Sequence, residues 1–109
     1  MKRGDLVTVA LQGEHGKPRP AIIIQSDLFA ELTFTVTVIL LTSTALNAPL
    51  IRVPVEPSQR NGLQRRSYAM IDQIFSAGTR RIGPVFGHLD DADMVAVNRA
   101  LALFTGIAS

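Results

Sequence analysis

The stretch Phe34-Thr35-Val36-Thr37-Val38-Ile39-Leu40-Leu41 leaves little freedom of fold. Its β-branched residues favour extended backbone, and threonine alternates with valine before the run turns wholly apolar. A strand needs partners, and the chain supplies them on both sides. Asp5–Leu11 places apolar residues at 7, 9 and 11 on one face. Ala21-Ile22-Ile23-Ile24 is a short apolar run bounded by punctuation, the pattern of a buried strand. Ile51–Val55 alternates, and Pro54, which cannot donate to a ladder, assigns it to a sheet edge. Asn61-Gly62 marks a sharp turn, Arg65–Ile74 another strand, and Val85–Leu89 one more short strand after the connector Arg80–Pro84.

The period changes to helical at the C-terminal end. Asp90 is expected to cap a helix whose apolar stripe is Met94, Val97, Leu101, Phe104 and Ala108, with Gly106 at the stop. Asp27 is expected to cap a single turn over Leu28–Ala30. The fold class is therefore α+β: five to seven short, mostly antiparallel strands closed into a small barrel or sandwich, with a C-terminal helix.

The 109 residues are read as a single domain, 1–109, large enough for one core without metals or disulfides. With 47 % apolar and 18 % charged residues, disordered and fibrous classes are excluded. No apolar run approaches the ~18–20 residues that span a bilayer. The opening Met1–Asp5 leads directly into a strand pattern without a signal-peptide layout. The absence of cysteine excludes thiolate metal sites and fits a cytoplasmic protein. Net charge is only +2, but nine of the eleven cations are arginine, five of them between Arg60 and Arg81. Such clustering fits either phosphate recognition or a solvated basic face.

The candidate chemistry begins at Gly16-Lys17-Pro18-Arg19-Pro20. Each proline biases the residue before it towards extended backbone, so Arg19 sits on a stiff segment at the mouth of a strand. An arginine held there can be aimed at a phosphate or carboxylate, or can form a surface ion pair. His15 and His88 lie 73 positions apart with no ligand-spaced partner, so no metal site is expected. Neither a nucleophile elbow nor a phosphate-binding glycine loop occurs. There remain polar groups at strand ends: Glu14, His15, Arg19, Thr42, Ser43, Ser67, Asp72 and Gln73. On one rim they are the ingredients of metal-free phosphodiester transfer on RNA, in which the substrate's 2′-hydroxyl attacks. Scattered, they are solvated turns.

Together these segments resemble the MazF/PemK family of toxin ribonucleases over nearly the full length. Lys2-Arg3-Gly4-Asp5-Leu6-Val7 is similar to the family's K/R-G-D/E-I/L-V/W start, and Glu14–Pro20 to its E-Q-x-G-x-R-P loop. Leu41-Thr42-Ser43 resembles its P/I-T-S/T strand end, Ser67 with Asp72-Gln73-Ile74 its S-x-x-x-x-D-Q-I/V block, and His88-Leu89 completes the order. The resemblance implies an SH3-like barrel, a homodimer, sequence-specific metal-independent cleavage of single-stranded RNA, and neutralisation by an antitoxin partner. No cofactor is implied. It sets Arg19 as the phosphorane stabiliser and proton-transfer group, Thr42 as a hydrogen-bonding partner of the reacting phosphate, and Glu14 as a catalytic carboxylate, with Asp72 matching an aspartate that acts as base or RNA contact. RNA contacts are expected from His15, Lys17, Ser43, Arg65, Ser67, Asp72 and Gln73. The loop before Glu14 is short for the family, His15 replaces its glutamine, and Met70 stands where some members carry arginine. On the same fold stand two alternatives, a CcdB-like gyrase poison and a catalytically inactive RNA-binding module.

Overall fold

In the computed structural model, residues 1–11 and 17–108 are described. Six strands form one antiparallel sheet: β1 (Asp5–Ala10), β2 (Pro18–Ile23), β3 (Thr35–Thr42), β4 (Arg52–Val55), β5 (Ser67–Gly78) and β6 (Ile82–His88). Their spatial order is β4-β5-β3-β2-β1-β6, and the helix α1 (Asp91–Phe104) follows. The α+β expectation holds, and β4 lies on an edge as Pro54 required.

The wholly apolar half of β3 is explained by burial on both sides of the sheet. Ile39 and Leu41 join a cluster with Leu6, Ile22, Ile71, Leu89 and Val97 beneath the helix. Val36, Val38 and Leu40 join a second with Val7, Val9, Ile23 and Ala77, to which the helix contributes nothing. The sheet therefore coils over its own second face. Its outer strands β4 and β6 do not pair, so the expected barrel is open at one seam. The turn after β4 crosses that seam, where the His88 N–H donates to the Arg60 carbonyl at 2.9 Å.

The seam explains two turn residues. Asn61 is fully buried, and its amide donates to the Glu56 carbonyl while its Oδ1 accepts from Ser58 and Leu63 N–H. Gly87 faces it so closely that a Cβ would lie 2.1 Å from the Asn61 carbonyl oxygen. Only glycine fits there.

Several boundaries differ from expectation. β5 runs on to Gly78 because Phe75–Gly78 pair with Val38–Thr35 beyond a register shift. β6 starts at Ile82, within the expected connector: register shifts against β1 accommodate Gly83 and Pro84 on an edge strand, where no proline N–H is needed. The short turn is the 3-10 helix Asp27–Phe29, and its cap is Ser26, not Asp27; Ser26 Oγ accepts from Leu28 N–H, while Asp27 Oδ1 accepts from Arg3 N–H. Asp90 occupies the helix N-cap through its carbonyl, which accepts from Met94 N–H; its side chain makes no cap bond. Of the expected stripe, Val97 is buried, Met94 and Leu101 are half-buried, and Phe104 and Ala108 are exposed. Ala100 is buried as well, in the cluster that includes Val53 and Val55 of β4 and Ala69 of β5.

At the chain start, the His88 ring Nδ1 lies 2.8 Å from Asp5 Oδ1, bringing together β6 and β1. Burial raises the Asp5 pKa, but the His88 hydrogen bond, the Lys2 N–H and the His88 charge outweigh it, so the net shift is downwards. A depressed carboxylate contributes stability that is present above its unfolded value of 3.8 and lost as pH falls through the folded value. Asp5→Asn is thus expected to unfold at lower urea than wild type at neutral pH. The gap between their midpoints should narrow as the pH falls below 3.8; a gap that stays constant would refute this linkage.

Candidate active site

The β2–β3 pairing ends at Ala21↔Leu40, two residues short of Arg19 near the start of β2 and of Thr42 at the end of β3. Both line an open hollow of about 300 Å³, together with Ser43, Gln64, Arg65 and Ser67. Its floor is Pro20, Leu41 and Leu63, so polar groups stand over an apolar base anchored in the core. Arg19 is fixed on β2 against Val9 of β1, half-buried, which limits the side-chain freedom that a positioned cation would otherwise lose. Thr42 ends β3, and its Oγ1 accepts the Thr44 N–H at 3.1 Å. A hydroxyl that accepts in this way keeps its own proton to donate. Ser67 is buried and donates to the Arg65 carbonyl at 3.1 Å, so its proton is committed to holding the Arg65 backbone.

Two guanidinium groups and two hydroxyls around one space can bind a phosphate and stabilise added negative charge on it. No carboxylate of the described residues lines the hollow. Glu14 and His15, which the resemblance sets beside Arg19, lie outside the described residues. Lys17 is exposed immediately before β2.

Asp72 and Gln73 do not join this hollow. The Asp72 carboxylate is engaged by Arg52 Nη1 across the β4–β5 pair, and the same nitrogen donates to the Ile51 carbonyl at 3.0 Å. That ion pair ties the edge strand to its neighbour. Arg52 was invisible as a partner in the sequence, since the contact depends on strand register. The arginine cluster also divides. Arg66 Nε lies 3.0 Å from Glu56 and the group stacks over Tyr68, Arg60 lies 3.3 Å from Asp91, and Arg80 and Arg81 are exposed on a 3-10 turn. Only Arg65 of the five lines the hollow. Gln64, also missed, follows the Asn61-Gly62 turn, and its one sequence signal was that adjacency. Among the described residues no three His, Asp or Glu side chains gather as metal ligands, and no helix is long and apolar enough to cross a membrane.

Residues 2–105 match the model of the PemK-like, MazF-like toxins of type II toxin–antitoxin systems. The chain belongs to this family. It is 42 % identical over 109 residues to a probable endoribonuclease MazF of Mycolicibacterium smegmatis, covering 99 % of each chain. It is 30 % identical over 107 residues to endoribonuclease EndoA of Bacillus subtilis, covering 94 % of this toxin and 92 % of that protein. Among solved structures it superposes on a mycobacterial endoribonuclease held in complex with its cognate antitoxin. There the TM-score is 0.84 and the identity 26 %, with 100 % of this toxin and 98 % of that chain covered.

Proposed function

We propose that this MazF-like toxin, acting as one domain over residues 1–109, is an endoribonuclease that cuts single-stranded RNA at a specific sequence without a metal ion. The observation that carries the reading is the hollow in which Arg19 and Thr42 stand together with Arg65 and Ser43. In the proposed reaction the substrate's 2′-oxygen attacks its own phosphorus and the 5′-oxygen leaves, so no external nucleophile is required. Arg19 neutralises the charge that develops on the phosphorane and passes a proton to the departing 5′-oxygen, Thr42 donates to a phosphate oxygen, and Glu14 accepts the 2′-hydroxyl proton, which solvent exchange returns to Arg19. Lys17, Ser43 and Arg65 hold the flanking backbone, with Ser67 fixing the position of Arg65. Asp72 and Gln73, outside the hollow, contact RNA beyond the reacting phosphate.

Cutting messenger RNA would stop translation and growth, and the site of action is the cytoplasm. An antitoxin protein is the partner that holds the activity in check, in keeping with the complex formed by its mycobacterial relative. α1 leaves Val95, Leu103 and Phe104 about half exposed, apolar surface that supports a homodimer. The family match favours the nuclease over the gyrase-poison reading.

The test is a long mixed-sequence RNA incubated with the protein in EDTA, followed by sequencing of the ends. Cuts at one recurring short motif are expected, with cyclic phosphate on the upstream fragment. Intact RNA after incubation with folded protein would overturn the reading.

A further inference from the structure

The chemistry proposed above uses only the ribose and phosphate, which are the same at every nucleotide. Sequence selection must come from a group that meets a base edge. Of the side chains around the hollow, Arg19 and Arg65 donate only, the hydroxyls are short, and the rest are apolar. Gln64 alone offers a planar donor and acceptor side by side, the pattern that pairs with a base edge in two hydrogen bonds. It is exposed, and its carboxamide makes no hydrogen bond with the described residues.

Its position is nonetheless well defined. Leu63, on one side, packs into the helix-side core and donates its N–H to Asn61 Oδ1 at 2.9 Å. Arg65, on the other, has its carbonyl held by Ser67 Oγ at 3.1 Å. Gln64 is thus an exposed side chain on a pinned backbone, at the wall of a hollow sized for about one nucleotide. A glutamine without protein partners at such a place loses no internal bond when it binds a ligand.

We propose that Gln64 is the specificity-determining residue for the base next to the scissile phosphate. The proposal rests on the ribonuclease reading and adds to it the source of the cleavage motif. Glutamate at this position keeps two acceptors and loses the donors, so it should favour a different base; alanine should remove the preference there.

The experiment maps cut ends on the mixed-sequence RNA for wild type, Gln64→Glu and Gln64→Ala, with circular dichroism confirming each fold. For both variants, cleavage at the wild-type motif is expected to fall about tenfold or more. Cuts should instead appear at sites that differ from the motif at one position only, narrowly for Gln64→Glu and broadly for Gln64→Ala. An unchanged motif with unchanged relative rates would overturn the inference alone. Loss of all cleavage in both folded variants would also overturn it, since it would make Gln64 part of the chemistry and not of selection. Uncut RNA with wild type would instead defeat the nuclease reading itself, which separates the two failures.

Discussion

Arg19→Ala is expected to slow RNA cleavage by about 10²–10³-fold, the usual cost of removing one charge-stabilising donor from a reacting oxyanion. The loss should fall on kcat, because the phosphorane carries more negative charge than the bound phosphodiester and, in the proposed reaction, Arg19 serves the difference. Arg65→Ala is the informative control. In the proposed reaction its guanidinium shares the hollow but meets unreacted backbone, so its loss should raise KM, by a smaller factor at higher salt because one phosphate contact fewer is screened. Arg19→Lys restores the charge without the planar fork and should recover only part of the rate. Single-turnover cleavage of a short RNA containing the mapped motif gives these values directly. Equal effects of Arg19→Ala and Arg65→Ala on kcat would deny Arg19 its separate role.

Ile39→Ala is expected to cost about 2–5 kcal/mol of stability, from lost transfer energy and the cavity left behind. Ile39 is fully buried in the middle of β3, paired with Ile22 on one neighbour and Ile74 on the other. It cannot be relieved by local collapse, because its cluster includes strands from both sides and Val97 of the helix. Leu101, taken from the periodic stripe as a core residue, is only half-buried, so Leu101→Ala should cost about 1–2 kcal/mol. Urea unfolding at one fixed protein concentration compares the two. Equal losses would place the helix deeper on the sheet than its buried residues indicate.

The contrast between these two positions shows where sequence reading succeeds. β3 was legible because a run that is apolar on both faces has no solvated orientation available to it. The helix was legible as a helix, and Met94, Val97 and Leu101 of its stripe pack on the core; the stripe missed the buried Ala100 and ran on to Phe104, which stays exposed. Periodicity reports that a face exists, and the small residues that allow close approach decide which part of it docks. The same holds for β5 and β6. Their extensions over Phe75–Gly78 and Ile82–Pro84 depend on register shifts against β3 and β1, which no local pattern encodes.

At the site, Arg19 and Thr42 were named from strand ends and family motifs, and the fold brings both to one hollow. Asp72 carried an equally good motif, yet its carboxylate is engaged by Arg52 on the neighbouring strand. Side-chain chemistry, strand propensity and motif order are properties of short segments, so the chain by itself determined the strands, the helix and the family. Which polar groups share one space depends on register and on how the sheet coils. That was decided by burying two apolar faces at once, and only the tertiary structure records it.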